Sequence, residues 1–177
     1  MRELFQQIYE RYHQDLFRFI FYMVKNREQT EDLVQEVYIK VLKSYDRFEG
    51  KSSEKTWLFS IAKHVTIDWF RKQKRRNIAD GMDDELIHAM IDDDSPLPEE
   101  IAVLNEEIQQ VYACLKTCTD DQRMVIVLRF LQSFSIAETA EVLGWTESKV
   151  KTTQHRAMKA LKTCMHDVLS KGGMPHA

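Results

Sequence analysis

The sequence predicts an all-α fold: two small helical domains joined by a flexible acidic linker, the second being a helix-turn-helix domain. Three observations lead there. Apolar residues recur every three or four positions along almost all of the 177 residues, while Gly and Pro number only 5 and 3. Charge is segregated into blocks: residues 1–50 hold 8 basic and 9 acidic side chains, residues 51–77 hold 8 and 2, residues 78–107 hold none and 11, and residues 108–177 hold 9 and 6. Two basic segments therefore flank an acidic one behind a net charge of −3, and basic blocks are what a nucleic acid attracts. Third, the stretch from Ser135 to Leu161 reads as two helices around a tight turn.

The N-terminal domain, residues 1–77, opens with a stripe of Leu4, Phe5, Ile8, Tyr9, Tyr12, Leu16, Phe19, Ile20 and Met23, which marks a long amphipathic helix. Asn26 and Gln29 have the spacing of a capping box for a second helix. Leu33, Val34, Val37, Tyr38, Val41 and Leu42 form its apolar side. Glu31, Asp32, Gln35, Glu36 and Lys40 form the other, a face that suits either solvent or a polar partner helix. Gly50 and the neighbouring serines break the pattern, and Ser52 or Ser53 can cap a third helix. That helix carries Trp57, Leu58, Ile61, Ala62, Val65, Trp69 and Phe70 and ends in a basic run from Arg71 to Arg76. Rings interleaved with cations suit single-stranded nucleic acid, because bases stack on rings and cations follow phosphates. They suit equally well a packed aromatic face with a basic helix end favoured by the dipole. The residues alone leave both open.

Residues 78–98 are acidic, end in Ser-Pro-Leu-Pro and lack a sustained apolar stripe. They are expected to be a flexible linker with a short helix at Glu85 to Ile91. The C-terminal domain, residues 99–170, should begin with a helix bearing Ile101, Leu104, Ile108, Val111, Tyr112 and Leu115. Thr119 and Gln122 cap the next, which contains Val125, Leu128 and Leu131. Residues 171–177 form a tail.

In the helix-turn-helix, Ser135 and Glu138 make a capping box, Gly144 supplies the left-handed stop, and Thr146 caps the second helix. Ala140 is small where two helices cross, Gly144 follows four residues later, and Val150 faces back across the turn. That spacing is the skeleton of a DNA-binding helix-turn-helix. Ser148, Lys149, Lys151, Thr152, His155 and Arg156 would point outward, where they suit phosphates and base edges. An ordinary helical hairpin with a solvated basic face would show the same outward residues.

Cys114, Cys118 and Cys164 are an odd set without zinc spacing, so reduced structural thiols are expected, with no metal and no cofactor. No apolar run is long enough to span a bilayer and the N-terminus is unlike a signal peptide, which points to the cytoplasm.

Three blocks in order carry a family resemblance: Glu31 to Val41, then Thr56 to His64 with Asp68 and Arg71, then the helix-turn-helix. Together they resemble an extracytoplasmic-function sigma factor of the sigma-70 family. These are small bacterial initiation factors of RNA polymerase that keep only the second and fourth conserved sigma regions. The resemblance implies that Asp32, Gln35, Glu36 and Lys40 dock on the clamp helices of core RNA polymerase. It implies that the loop from Tyr45 to Glu54, with Tyr45, Arg47, Phe48, Lys51 and Ser52, receives a flipped base of the minus-ten element. Lys63, His64, Asp68 and Arg71 would lie beside that melted DNA. Ser148, Lys149, Lys151, Thr152, His155 and Arg156 would read the minus-thirty-five element as duplex, and the helix from Asp120 to Leu131 would help to contact the polymerase flap. Family members often have Asn where this chain has His64, and an imidazole lacks the paired donor and acceptor of an amide. An anti-sigma factor, often membrane-anchored in the family, is a further implied partner; no small-molecule substrate is implied.

The function expected is therefore promoter-specific initiation, in a stress or cell-envelope response, and not catalysis. A freestanding helix-turn-helix regulator, with the N-terminal half sensing or dimerising, is the alternative. It leaves the ordered N-terminal blocks without a role. An enzyme fits worst: the sequence has no phosphate loop, no nucleophile motif and no paired His ligands.

Overall fold

The computed structural model describes residues 2–81 and 102–172. All regular structure among them is helical. Helix α1, Arg2–Val24, stops at Lys25, a non-glycine residue in the left-handed region (φ 57°). Asn26 then caps α2, Arg27–Ser44, by accepting from the Gln29 amide N–H at 2.9 Å. The expected box closes on one side only: the Gln29 side chain accepts instead from the Trp69 indole N–H at 3.1 Å. The Lys25-Asn26 joint leaves no room for a loop, so α2 turns straight back along α1. A 3₁₀ turn, Tyr45–Arg47, leads to α3, Glu54–Ala79, which is capped by Ser53 rather than Ser52. Leu16, Phe19, Ile20 and Met23 of α1 meet Val34, Val37 and Val41 of α2 and Leu58, Phe59, Ala62 and Val65 of α3 in a fully buried core.

Four helices of the C-terminal module lie within the described residues. Its first, α4, spans Glu106–Leu115 and starts later than the Ile101 stripe predicts, because Asn105 takes the cap and accepts from the Ile108 N–H. Helix α5, Asp120–Ile126, has the expected Thr119–Gln122 box and runs into a π-turn at Val127–Leu131. Helices α6, Ile136–Leu143, and α7, Glu147–Gly172, follow. Leu115, Val125, Leu128, Val142, Val150 and Ala157 form the core. The expected short helix at Glu85 to Ile91, most of the acidic linker, Ile101 and the last five residues lie outside the described residues. No described helix is long and apolar enough to cross a membrane.

The expectation of three reduced thiols is corrected. Cys114 of α4 and Cys164 of α7 form a disulfide, with Cα atoms 5.7 Å apart. The 26-residue α7 reaches back over α4 and sets the two side chains face to face. Cys118 alone is free, and its burial pushes the thiol pKa up, which keeps it protonated and unreactive. A cross-link closing 50 residues removes chain entropy from the unfolded state, worth about 4 kcal/mol in the loop-closure view. Reduction is therefore expected to lower the Tm by up to about 10 °C. Melting with and without reductant checks this, and Cys114→Ser should melt at the lower temperature in both.

Candidate nucleic-acid interface

Three exposed surfaces follow one another along the chain. The first is the outer face of α2. Its apolar side is pinned by Leu33, Val34 and Val37, so Asp32 and Gln35 are exposed and Glu36 and Lys40 partly so. Ile39 stands among them at 52% exposure. Positions 32, 35, 36, 39 and 40 share one helix face, and an apolar side chain ringed by charge is the usual anchor of a protein contact. Sequence reasoning missed Ile39, although its position one and three residues from Lys40 and Glu36 would have found it.

The second surface is built by the loop after α2 and the outward face of α3. Phe48 and Tyr45 pack on Trp57, with ring centroids 4.9 and 5.8 Å from the indole. Lys51 and Arg47 remain exposed beside them, and Ser52 is partly so. Lys51 pairs with Glu49 at 2.7 Å. Steps of four and three carry the same α3 face from Trp57 through Ile61 and His64 to Asp68 and Arg71. Asp68 and Arg71 approach to 3.9 Å. His64 is exposed, and its Nδ1 lies 2.7 Å from the Ser60 carbonyl oxygen. A carbonyl only accepts, so Nδ1 donates to it and Nε2 is left to face outward.

Lys63 does not join this group. One residue before His64, it is rotated onto the flank of α3 and is half-buried. Burial and the neighbouring Arg71 draw its ammonium pKa down, and Asp121 of α5 opposes them. The aromatic residues Trp57, Trp69 and Phe70 divide between the two readings the sequence leaves open: each packs on the core by one face and keeps part of its surface in solvent. The basic run beyond them, Lys72, Lys74, Arg75 and Arg76, is exposed.

The third surface is the helix-turn-helix. The Ser135–Glu138 box closes on both sides, and Gly144 takes the left-handed conformation (φ 69°) that ends α6. Thr146 accepts from the Lys149 amide N–H at 3.1 Å and so starts α7. Val150 and Ala157 are fully buried, which turns Ser148, Lys149, Lys151, Thr152, His155 and Arg156 to solvent. The Lys149 ammonium folds back over the Trp145 ring at 4.0 Å, a contact worth about 0.5 to 1 kcal/mol at an exposed site. The Arg129 guanidinium ties the scaffold behind α7, donating to the Gln154 side chain at 3.0 Å and the Phe134 carbonyl at 2.6 Å. Among the described residues no cluster of His, Cys, Asp or Glu is arranged to hold a metal.

Both modules match known families. Residues 8–76 match Sigma-70 region 2 and residues 108–161 match Sigma-70 region 4. The chain is 57% identical over 167 residues to the ECF RNA polymerase sigma factor SigX of Bacillus subtilis, covering 93% of this chain and 85% of that protein. It is 33% identical over 164 residues to the RNA polymerase sigma factor YlaC of the same organism, covering 93% of each. Its fold is similar to that of the sigma factor RpoE of Bartonella quintana in complex with the anti-sigma factor NepR, at a TM-score of 0.77 and 24% identity over 94% of this chain and 98% of that one. The two sigma regions fall on the two helical modules in the expected order, and the chain belongs to the extracytoplasmic-function sigma factors of RNA polymerase.

Proposed function

We propose that the protein docks on core RNA polymerase through the outer face of α2 and directs it to promoters read at two places. The loop from Tyr45 to Glu54, with His64, Asp68 and Arg71, takes the melted minus-ten element. Ser148, Lys149, Lys151, Thr152, His155 and Arg156 face the duplex minus-thirty-five element. The observation that supports this reading best is the co-facial row from Trp57 through His64 to Arg71, with the Tyr45 and Phe48 rings packed at its head. It joins stacking surface, a hydrogen-bonding imidazole and cations on one exposed strip, as extruded bases require. The outward Nε2 of His64 offers a base edge one hydrogen-bonding atom where an amide offers a donor and an acceptor.

The site of action is the cytoplasm, where polymerase and promoter are, and the response served is one to stress or envelope damage. Similar sigma factors have been solved bound to anti-sigma factors, RpoE with NepR and CnrH with the cytosolic domain of CnrY. An anti-sigma factor, membrane-anchored or free, is the proposed regulator here.

The competing reading, a freestanding regulator, differs in autonomy. The protein alone is expected to bind promoter duplex at least about 100-fold more weakly than its complex with core polymerase at matched salt, since specific DNA contacts span that range and more. A gel-shift titration with and without core measures it. Equal affinity would favour the regulator.

A further inference from the structure

The chain's cysteines, Cys114, Cys118 and Cys164, all lie in the C-terminal module. Cys114 sits beside the last residue of α4 and is fully buried. Cys164 sits on α7, past the buried Leu161, and keeps part of its surface in solvent. The bond between them closes a covalent ring over residues 114–164, which holds α5, α6 and every residue assigned to the minus-thirty-five element. Val125, Leu128, Val142, Val150 and Ala157 are buried inside that ring. The module therefore has an apolar core of its own, and the bond is not the staple of a scaffold too small to build one. Helix α7 is 26 residues long, about 39 Å. Its reading face runs from Ser148 to Arg156, near its start. Beyond Leu161, Cys164 and Met165 are the described side chains that pack back on the core, while Val168 and Leu169 are exposed. The bond thus fixes the far end of the helix whose near end faces DNA.

A protein that works beside polymerase meets a reducing pool of small thiols, and there a protein disulfide is usually one that forms and breaks. Access to this one is one-sided. A small thiolate reaches the partly exposed Cys164 sulfur and not the buried Cys114 sulfur. Attack makes a mixed disulfide on Cys164, and the Cys114 sulfur leaves with the electron pair of the old bond and takes a proton. A second small thiol then attacks the small-molecule sulfur of that mixed disulfide. Cys164 leaves as a thiol and the two small molecules leave as their own disulfide. Two small thiols are oxidised and one protein disulfide is reduced, and the same steps in reverse oxidise the pair. Cys118 stays outside the exchange, because it is buried and its thiol is held protonated.

We propose that Cys114 and Cys164 form a reversible modification site that exchanges with low-molecular-weight thiols and their disulfides, and that the oxidised form is the better reader of the minus-thirty-five element. The control rests on the two-element reading above. Opening the ring gives the module more chain entropy to gain by loosening, so local opening of α4 from the far part of α7 becomes more frequent. Apparent affinity for the element falls with the fraction of molecules left competent. The N-terminal module holds no cysteine, so exchange leaves polymerase docking and minus-ten reading as they were.

The full chain is equilibrated in glutathione buffers from wholly oxidised to wholly reduced, quenched in acid, unfolded and labelled with a thiol-reactive polymer. It should carry one label at the oxidised end, on Cys118, and three at the reduced end, and it should move between them in both directions. Holoenzyme assembled from each form is then assayed for transcription on a promoter with its minus-thirty-five element intact and on one with that element scrambled. The oxidised form should transcribe the intact promoter about 3- to 10-fold more than the reduced form. Both forms should bind core polymerase equally and serve the scrambled promoter alike. Cys164→Ser changes the partly exposed member of the pair and leaves the buried one in place. It should behave as the reduced form under both conditions, and so should Cys114→Ala, with circular dichroism verifying that each keeps its helicity. A pair still bonded in excess reduced glutathione, or one that does not re-form, would overturn the proposal. So would equal transcription by the two forms, or a difference that persists on the scrambled promoter. Failure of the sigma reading is distinguishable: the pair would then cycle while neither form engaged core polymerase at any concentration.

Discussion

Asp32→Lys together with Glu36→Lys is expected to abolish capture by core RNA polymerase while leaving the melting temperature within about 3 °C of wild type. Asp32 is exposed and Glu36 partly exposed on a helix whose other side is locked into the core by Leu33 and Val37. Lysine has good helix propensity and its head reaches water at both positions, so folding loses little. Docking loses much more. A charged contact turned into a repulsive one costs several kcal/mol, about 100-fold or more in affinity. Ile39→Ala is the companion variant: it keeps every charge and removes the half-exposed apolar side chain at the centre of the face. Its expected cost is about 1 to 2 kcal/mol. Fluorescence anisotropy of labelled protein against core measures binding, and differential scanning fluorimetry measures folding. Early melting of the double lysine variant would make the face structural instead.

What the sequence disclosed was mostly local. Helix starts at Ser53, Thr119, Ser135 and Thr146 and the stop at Gly144 depend on side chains within four residues of the groups they satisfy, so spacing reveals them. Positive-φ positions without glycine were invisible: Lys25 and Ser133 take φ of 57° and 60°, and no residue type or spacing marks them. The candidate site was legible where helical periodicity alone places residues, as for the outward face of α7. Lys63 falls outside the His64 face by one step along α3, a rotation of about 100°, and only its half-burial was not legible. Arg123 and Gln132 are polar yet buried, and the carbonyls that accept from them lie far along the chain, where no local spacing points to them. The Cys114–Cys164 pairing, across 50 residues, has the same origin. Partners set by tertiary contact leave no signature in a window of sequence.

Lys151→Ala combined with His155→Ala is expected to erase preference for the minus-thirty-five element, at a cost of about 2 to 6 kcal/mol if each side chain contributes as a good base contact does. The geometry of α7 argues for these two. In a helix-turn-helix the first turns of the second helix enter the major groove. Lys151 and His155 are four residues apart, exposed, and opposite the buried Val150 and Ala157. Lys149 is nearer the helix start, but its ammonium is held over Trp145, so drawing it to a base first costs that contact. Arg156 comes nine residues after Glu147, about 13 Å along the axis. Of the six outward residues it lies furthest from the helix start, and there a guanidinium meets the phosphate backbone. The two roles separate on one experiment, selection from randomised minus-thirty-five duplexes with holoenzyme carrying each alanine variant. Loss of a base contact relaxes the preference at one position. Loss of a phosphate contact weakens all sequences alike and lowers the salt slope by about one. Arg156→Ala should therefore reduce binding by about 1 to 3 kcal/mol without changing the selected sequence, and Lys151→Ala and His155→Ala should each change it. If neither alters the selected sequence or the transcription rate, the reading face lies elsewhere on α7.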